Sequence, residues 1–225
     1  MVLNRASRKE ADARLSTLRR QVSLQVFTLR YEDGACREAR QAAEELAEAT
    51  SRLSVEISDA LESGDLLRKF RVDSPPALVA TAKEAPELRV YGVPTGYALL
   101  SLLDAIVALG VPQEPKAELL ETFEAACGDR RECSGVRLDL VVSRRDHATV
   151  EAAAALWRVA FAARVTEDAP KVVAALRIVE DLPHWAVRAG SLALPALLVE
   201  GEPTLAWPFA DTDIAGALSA SVRSS

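Results

Sequence analysis

Three cysteines and two histidines carry most of the nucleophilic and metal-ligating capacity of this 225-residue chain. Cys36 closes the run Asp33-Gly34-Ala35-Cys36, just where an Ala- and Glu-rich helix-like segment begins. A thiol in the first turn of a helix meets unpaired N–H groups and the positive end of the dipole, and both favour a thiolate. The same position also suits a buried, inert cysteine. Cys127 and Cys133 flank Gly128-Asp129-Arg130-Arg131-Glu132. They either close a small disulfide beside two arginines or stand as two thiols on a helix end and a loop. A zinc site needs more Cys or His close by than His147 and His184 provide, so no metal is expected. Asp146-His147 has the form of an acid–base pair. No Ser or Cys nucleophile follows at a usable spacing, and Asp146 serves equally as an N-cap beside an exposed His147.

Composition narrows the classes. Hydrophobic residues are 49% of the chain and aromatic residues 5%, so a core of Ala, Leu and Val is expected. The net charge is −6 with no basic block, which argues against nucleic acid as a partner. No apolar run approaches a membrane span, and Met1–Leu18 has no apolar h-region. The expectation is a soluble, cytoplasmic protein with no membrane partner and no cofactor. Trp157 and Phe161, one helical turn apart, read as core. Trp185 and Trp207 read either as core or as anchors for a partner.

The elements that must position these residues come in two sets. Val22–Thr28 alternates as a strand and Asp33 is a candidate N-cap for the helix that follows. Leu53–Ile57, a helix over Ala60–Phe70, a strand at Ala77–Thr81, a strand at Leu88–Tyr91 and a long apolar helix to Gly110 complete the first set. After Pro112 and Pro115 and a helix over 116–127, the order repeats from Val136. A strand opened by proline stands third in each set, at Pro75-Pro76-Ala77-Leu78 and Leu194-Pro195-Ala196-Leu197, 119 positions apart. A proline there must sit at the strand's first residue or in the bend before it.

This order, with the proline-led third strand, resembles the thioredoxin fold. The doubled arrangement resembles the archaeal protein disulfide oxidoreductases and the N-terminal domain of the flavoprotein reductase that serves alkyl hydroperoxide peroxidases. Tyr91-Gly92-Val93-Pro94-Thr95-Gly96-Tyr97 is the most specific phrase of the match. The resemblance implies an α/β chain of two tandem thioredoxin-like units, 1–112 and 113–225, with mixed sheets flanked by helices. It implies cis bonds at Pro75–Pro76 and Leu194–Pro195, facing the active-site turns.

Such families exchange thiols and disulfides through Cys-x-x-Cys where the first strand meets the first helix. Here the equivalent turns are degenerate. The first is Asp33-Gly34-Ala35-Cys36 and the second Asp146-His147-Ala148-Thr149. A lone resolving-type thiol stalls at the mixed disulfide. Two readings follow. One is a non-catalytic module that binds a protein or peptide beside the prolines by strand addition. The other is a thiol enzyme, for oxidoreduction or peroxide defence, using Cys36 or the Cys127/Cys133 pair. The partner's identity and any oligomeric state stay open.

Overall fold

Apolar strands set the frame. The computed structural model of the chain describes residues 2–29, 34–112, 114–127, 135–166 and 171–224. A leading helix, α1 (Arg5–Leu15), precedes β1 (Val22–Thr28), α2 (Gly34–Ala47), β2 (Leu53–Asp59), α3 (Gly64–Phe70), β3 (Ala77–Thr81), β4 (Leu88–Tyr91) and α4 (Tyr97–Gly110). Then α5 (Ala117–Cys127) precedes β5 (Val136–Val142), α6 (Ala148–Val165), β6 (Val172–Ile178), α7 (Pro183–Arg188), β7 (Ala196–Val199), β8 (Glu202–Ala206) and α8 (Asp211–Ser224).

The strands form one eight-stranded sheet in the order β2-β1-β3-β4-β6-β5-β7-β8. Its first four positions repeat as its last four. The sequence reading expected a sheet in each unit. Instead β4 and β6 pair in parallel, Leu88 with Ala174 through Tyr91 with Arg177. That pairing covers two strand edges whose N–H and C=O groups would otherwise be open.

The two faces differ. One carries α1, α2, α4, α5, α6 and α8, whose apolar stripes fill the larger core. In α2 the stripe is Ala39, Ala42, Ala43 and Leu46, all fully buried at helical spacing. The long α4 is apolar nearly all round and is buried accordingly. Trp157 of α6 donates its indole N–H to the carbonyl of Ser101 in α4 at 3.1 Å, which ties the two halves through the core. The other face carries only the short α3 and α7 over a smaller cluster around Phe27, Tyr91, Ala175 and Trp185.

The helix read over Ala60–Phe70 starts later, at Gly64. The Ala60 N–H bonds to the Thr28 carbonyl and the Leu61 N–H to the Asp59 carboxylate, so those residues form a turn before α3. Pro183, which lacks an N–H, opens α7.

Candidate functional site

Strand register brings the end of β1 beside the start of β3, with Phe27 opposite Ala77. It does the same in the second half, with Val141 of β5 opposite Ala196 of β7. The peptide bonds Pro75–Pro76 and Leu194–Pro195 are cis, and so is Trp207–Pro208. The Pro76 carbonyl accepts from the Gly92 N–H and the Pro195 carbonyl from the Trp207 N–H, each at 2.9 Å. Pro76 and Pro195 are buried, while Pro75 and Leu194 are half-buried.

Of the first turn, Asp33 lies outside the described residues, and so does its candidate role as N-cap. Gly34 is exposed, Ala35 half-buried and Cys36 fully buried in the first turn of α2. Cys133 and the side chain of Cys127 also lie outside the described residues, and with them the candidate disulfide. Among the described residues no group of His, Cys, Asp and Glu could hold a metal ion.

The second turn is part of the joint between the halves. The Asp146 carboxylate accepts from the Ala148 N–H at 3.0 Å. Its neighbour His147 is 83% exposed, and its ring stands 6.4 Å from that of Tyr97. Thr149 is buried and donates its hydroxyl to the Ser143 carbonyl at 2.7 Å. The loop from Gly92 to Tyr97 closes over this turn. The Tyr97 N–H bonds to the Arg144 carbonyl at 3.0 Å. Arg144 bonds to the Thr95 hydroxyl and pairs with Asp181, whose carboxylate also takes the Val93 N–H at 2.7 Å. Gly92 (φ 102°) and Gly96 (φ 58°) both need positive φ. A Cβ on Gly96 would stand 2.5 Å from the Arg144 carbonyl oxygen. The glycines of this phrase are therefore required by the joint.

Beside the first proline strand lies a buried ionic cluster. Arg177 of β6 is fully buried and grips Asp73 with both Nη atoms, at 2.8 and 3.0 Å. Its Nε donates to Asp139 of β5 at 2.8 Å. Arg137 donates to Asp139 at 2.6 Å and pairs with Asp73 as well. The Arg177 guanidinium lies between Tyr91 and Trp185, 3.5 and 4.3 Å from the ring centroids. Burial pushes the Asp139 carboxyl up to about 7, against the pull of the Arg137 guanidinium. Burial also raises the Tyr91 phenol well above its ordinary value. The cluster contains no nucleophile. What it does is hold Asp73, two residues before Pro75, against the second half of the chain.

No protein-family model and no curated protein matches the sequence. Solved structures do match the fold. A protein disulfide oxidoreductase from Aeropyrum pernix K1 superposes with a TM-score of 0.84 at 14% identity, over 98% of this chain and 94% of that one. The NTD_N/C domain of the alkylhydroperoxide reductase AhpF from Enterococcus faecalis superposes with a TM-score of 0.78 at 19% identity, over 96% and 99% of the two chains. The chain has a thioredoxin-like fold. In this thioredoxin-like chain the ionic cluster was not readable in sequence. Its one signal was Arg137 and Asp139, charged at i and i+2 inside an apolar strand and hence on one face. Trp185, read as core or partner anchor, is 3% exposed and belongs to the core.

Proposed function

We propose that the chain is a binding module of two thioredoxin-like units, 1–112 and 113–225, acting in the cytoplasm. It holds an extended protein or peptide segment beside Leu194–Pro195 and does not run dithiol–disulfide exchange. The carrying observation is at Leu194. Among the described residues nothing takes its backbone N–H or C=O, and it precedes a strand whose own ladder starts only at Ala196. A guest strand can use both groups. The corresponding Pro75 has no N–H to offer, which favours the second half as the binding surface. Against the thiol reading, Cys36 is fully buried, while an exchanging thiolate must reach its substrate. The second turn has no cysteine.

The test uses carboxymethylated insulin B chain, an extended peptide with no reactive thiol, followed by fluorescence anisotropy. The chain should bind it. Leu194→Pro, which copies the natural Pro75–Pro76 pair, should weaken binding roughly five- to tenfold by removing one N–H donor, with thermal unfolding unchanged. Insulin reduction by dithiothreitol should run no faster with the protein than without it. Acceleration that disappears in Cys36→Ser would overturn the proposal in favour of a thiol enzyme.

A further inference from the structure

A second site lies at the opposite end of β4 from Pro76. A groove with a cavity volume of about 680 Å³ opens where α3, α6 and the starts of β4 and β6 meet. Lys69, Arg71, Arg89, Arg164 and Lys171 line it, with Glu87 as the one carboxylate among the described residues. Arg89 forms the floor and is already satisfied. It is 2% exposed, donates to the Phe70 carbonyl at 2.9 Å and pairs with Glu87 at 2.5 Å. Glu87 is thereby used up. Lys69, Arg71, Arg164 and Lys171 are exposed, and no described carboxylate pairs with any of them.

Among the described residues these four cations have no carboxylate partner, in a chain of net charge −6. The C-terminal end of α6 faces the same groove, and its dipole brings roughly half a negative charge, which four full positive charges outweigh. Arg71 holds φ 49° as the C-cap of α3, a position where glycine is the usual residue.

We propose that this groove binds a small organic phosphate. The volume lies within the range of small-molecule sites, about 300–1,000 Å³. The guanidinium forks of Arg71 and Arg164 match phosphate oxygens in pairs, and Lys69 and Lys171 add point charges. Ala163, Val172 and Val173 provide an apolar wall for the ligand's organic body. An acidic peptide fits less well. Both strands at the groove, β4 and β6, are paired on either side, so no edge is open for strand addition. A nucleic acid would need a basic stripe extending beyond the groove on a chain that is otherwise acidic.

The experiment is isothermal titration of the full chain at low salt, where such charges are least screened. The probes are adenosine diphosphate, adenosine, hexaglutamate and a short single-stranded oligonucleotide. Adenosine diphosphate should bind and adenosine should not. The variant Arg71→Asn/Arg164→Gln/Lys171→Gln should lose at least roughly tenfold in affinity with its thermal unfolding unchanged; Asn is chosen because it tolerates positive φ. The proposal is overturned if adenosine diphosphate shows no binding at millimolar concentration. It is equally overturned if the variant binds as tightly as the parent, or if hexaglutamate or the oligonucleotide binds more tightly than adenosine diphosphate.

Discussion

Arg177 and Tyr91 stack across the seam where the two halves of the sheet meet. They are register partners on β6 and β4, both fully buried, with the guanidinium carbon 3.5 Å from the ring centroid. The same guanidinium forms ion pairs with Asp139 and Asp73. Removing it leaves a buried carboxylate without one of its two arginines, which costs about 3–5 kcal/mol. Arg177→Met should therefore destabilise the chain by that amount in urea unfolding at neutral pH.

The loss should also depend on pH. Asp139 already titrates near 7 because of burial, and without Arg177 its folded value rises further. A folded value above the unfolded one means that the native state holds a proton the unfolded chain gives up. Stability then falls as pH rises through that interval. The deficit of Arg177→Met should grow from mildly acidic to alkaline pH. Arg177→Met/Asp139→Leu should recover part of the loss and flatten the pH dependence. A deficit independent of pH would show that Asp139 is not the group involved.

Asp211 should titrate in the opposite sense. It opens α8 and receives Arg158 from α6 at 2.7 and 2.8 Å and Lys116 from the segment before α5 at 2.7 Å. Although burial opposes them, these hydrogen bonds hold its carboxyl below the ordinary 3.8. A depressed folded value stabilises the native state above the unfolded value, and that stability disappears as pH falls through the folded one. Both cationic partners are about half exposed, so screening limits the contribution to about 1–2 kcal/mol. Asp211→Asn should lose this at neutral pH. Parent and variant should converge in urea unfolding once pH falls below the depressed folded value of Asp211.

The repeated strand order was legible because a proline before an apolar run has few places to stand in a sheet. Pro76 and Pro195 marked the third strand of each half. The merging of the sheets was not legible. Leu88–Tyr91 and Val172–Ile178 are both short apolar runs, and nothing in either names the other as its parallel neighbour. That neither turn reads Cys-x-x-Cys was plain in the residues themselves. The ionic cluster was hidden because Asp73, Asp139 and Arg177 lie on three separate segments, and only the β4–β6 pairing brings them together.

The Gly92–Gly96 loop offers a sharp test of the joint. Gly96→Ala adds a Cβ 2.5 Å from the backbone oxygen of Arg144, which can move only if the two halves part. It also forces a non-glycine residue to positive φ. The combined cost should be roughly 2–4 kcal/mol. Gly190→Ala is the control. Its φ is 65°, but nothing lies within 4 Å of the added Cβ, so it should cost only the backbone part, roughly 1–2 kcal/mol. Equal losses in thermal unfolding would mean that the contact with Arg144 carries no weight.

Cys36 is the last test, because its accessibility decides whether it can carry the thiol reading. The thiol lies under the first turn of α2, on the side of the helix that carries the buried Ala39, Ala42, Ala43 and Leu46. An alkylating reagent can reach it only when α2 lifts from the sheet. Labelling of the native protein then reports the opening equilibrium, because opening is rare and closing is fast. The measurement should use Cys127→Ser/Cys133→Ser, so that Cys36 alone reacts. Iodoacetamide should label the native variant roughly a thousandfold more slowly than the same protein in urea, which corresponds to an opening free energy of about 4 kcal/mol. Cys36→Ala should keep the fold, since three of the four other buried residues of that stripe are already alanine, at a cost of about 1–2 kcal/mol for the lost sulfur contacts. Labelling within tenfold of the unfolded rate would place the thiol at the surface, and a surface thiol at a helix start is what an exchanging enzyme requires.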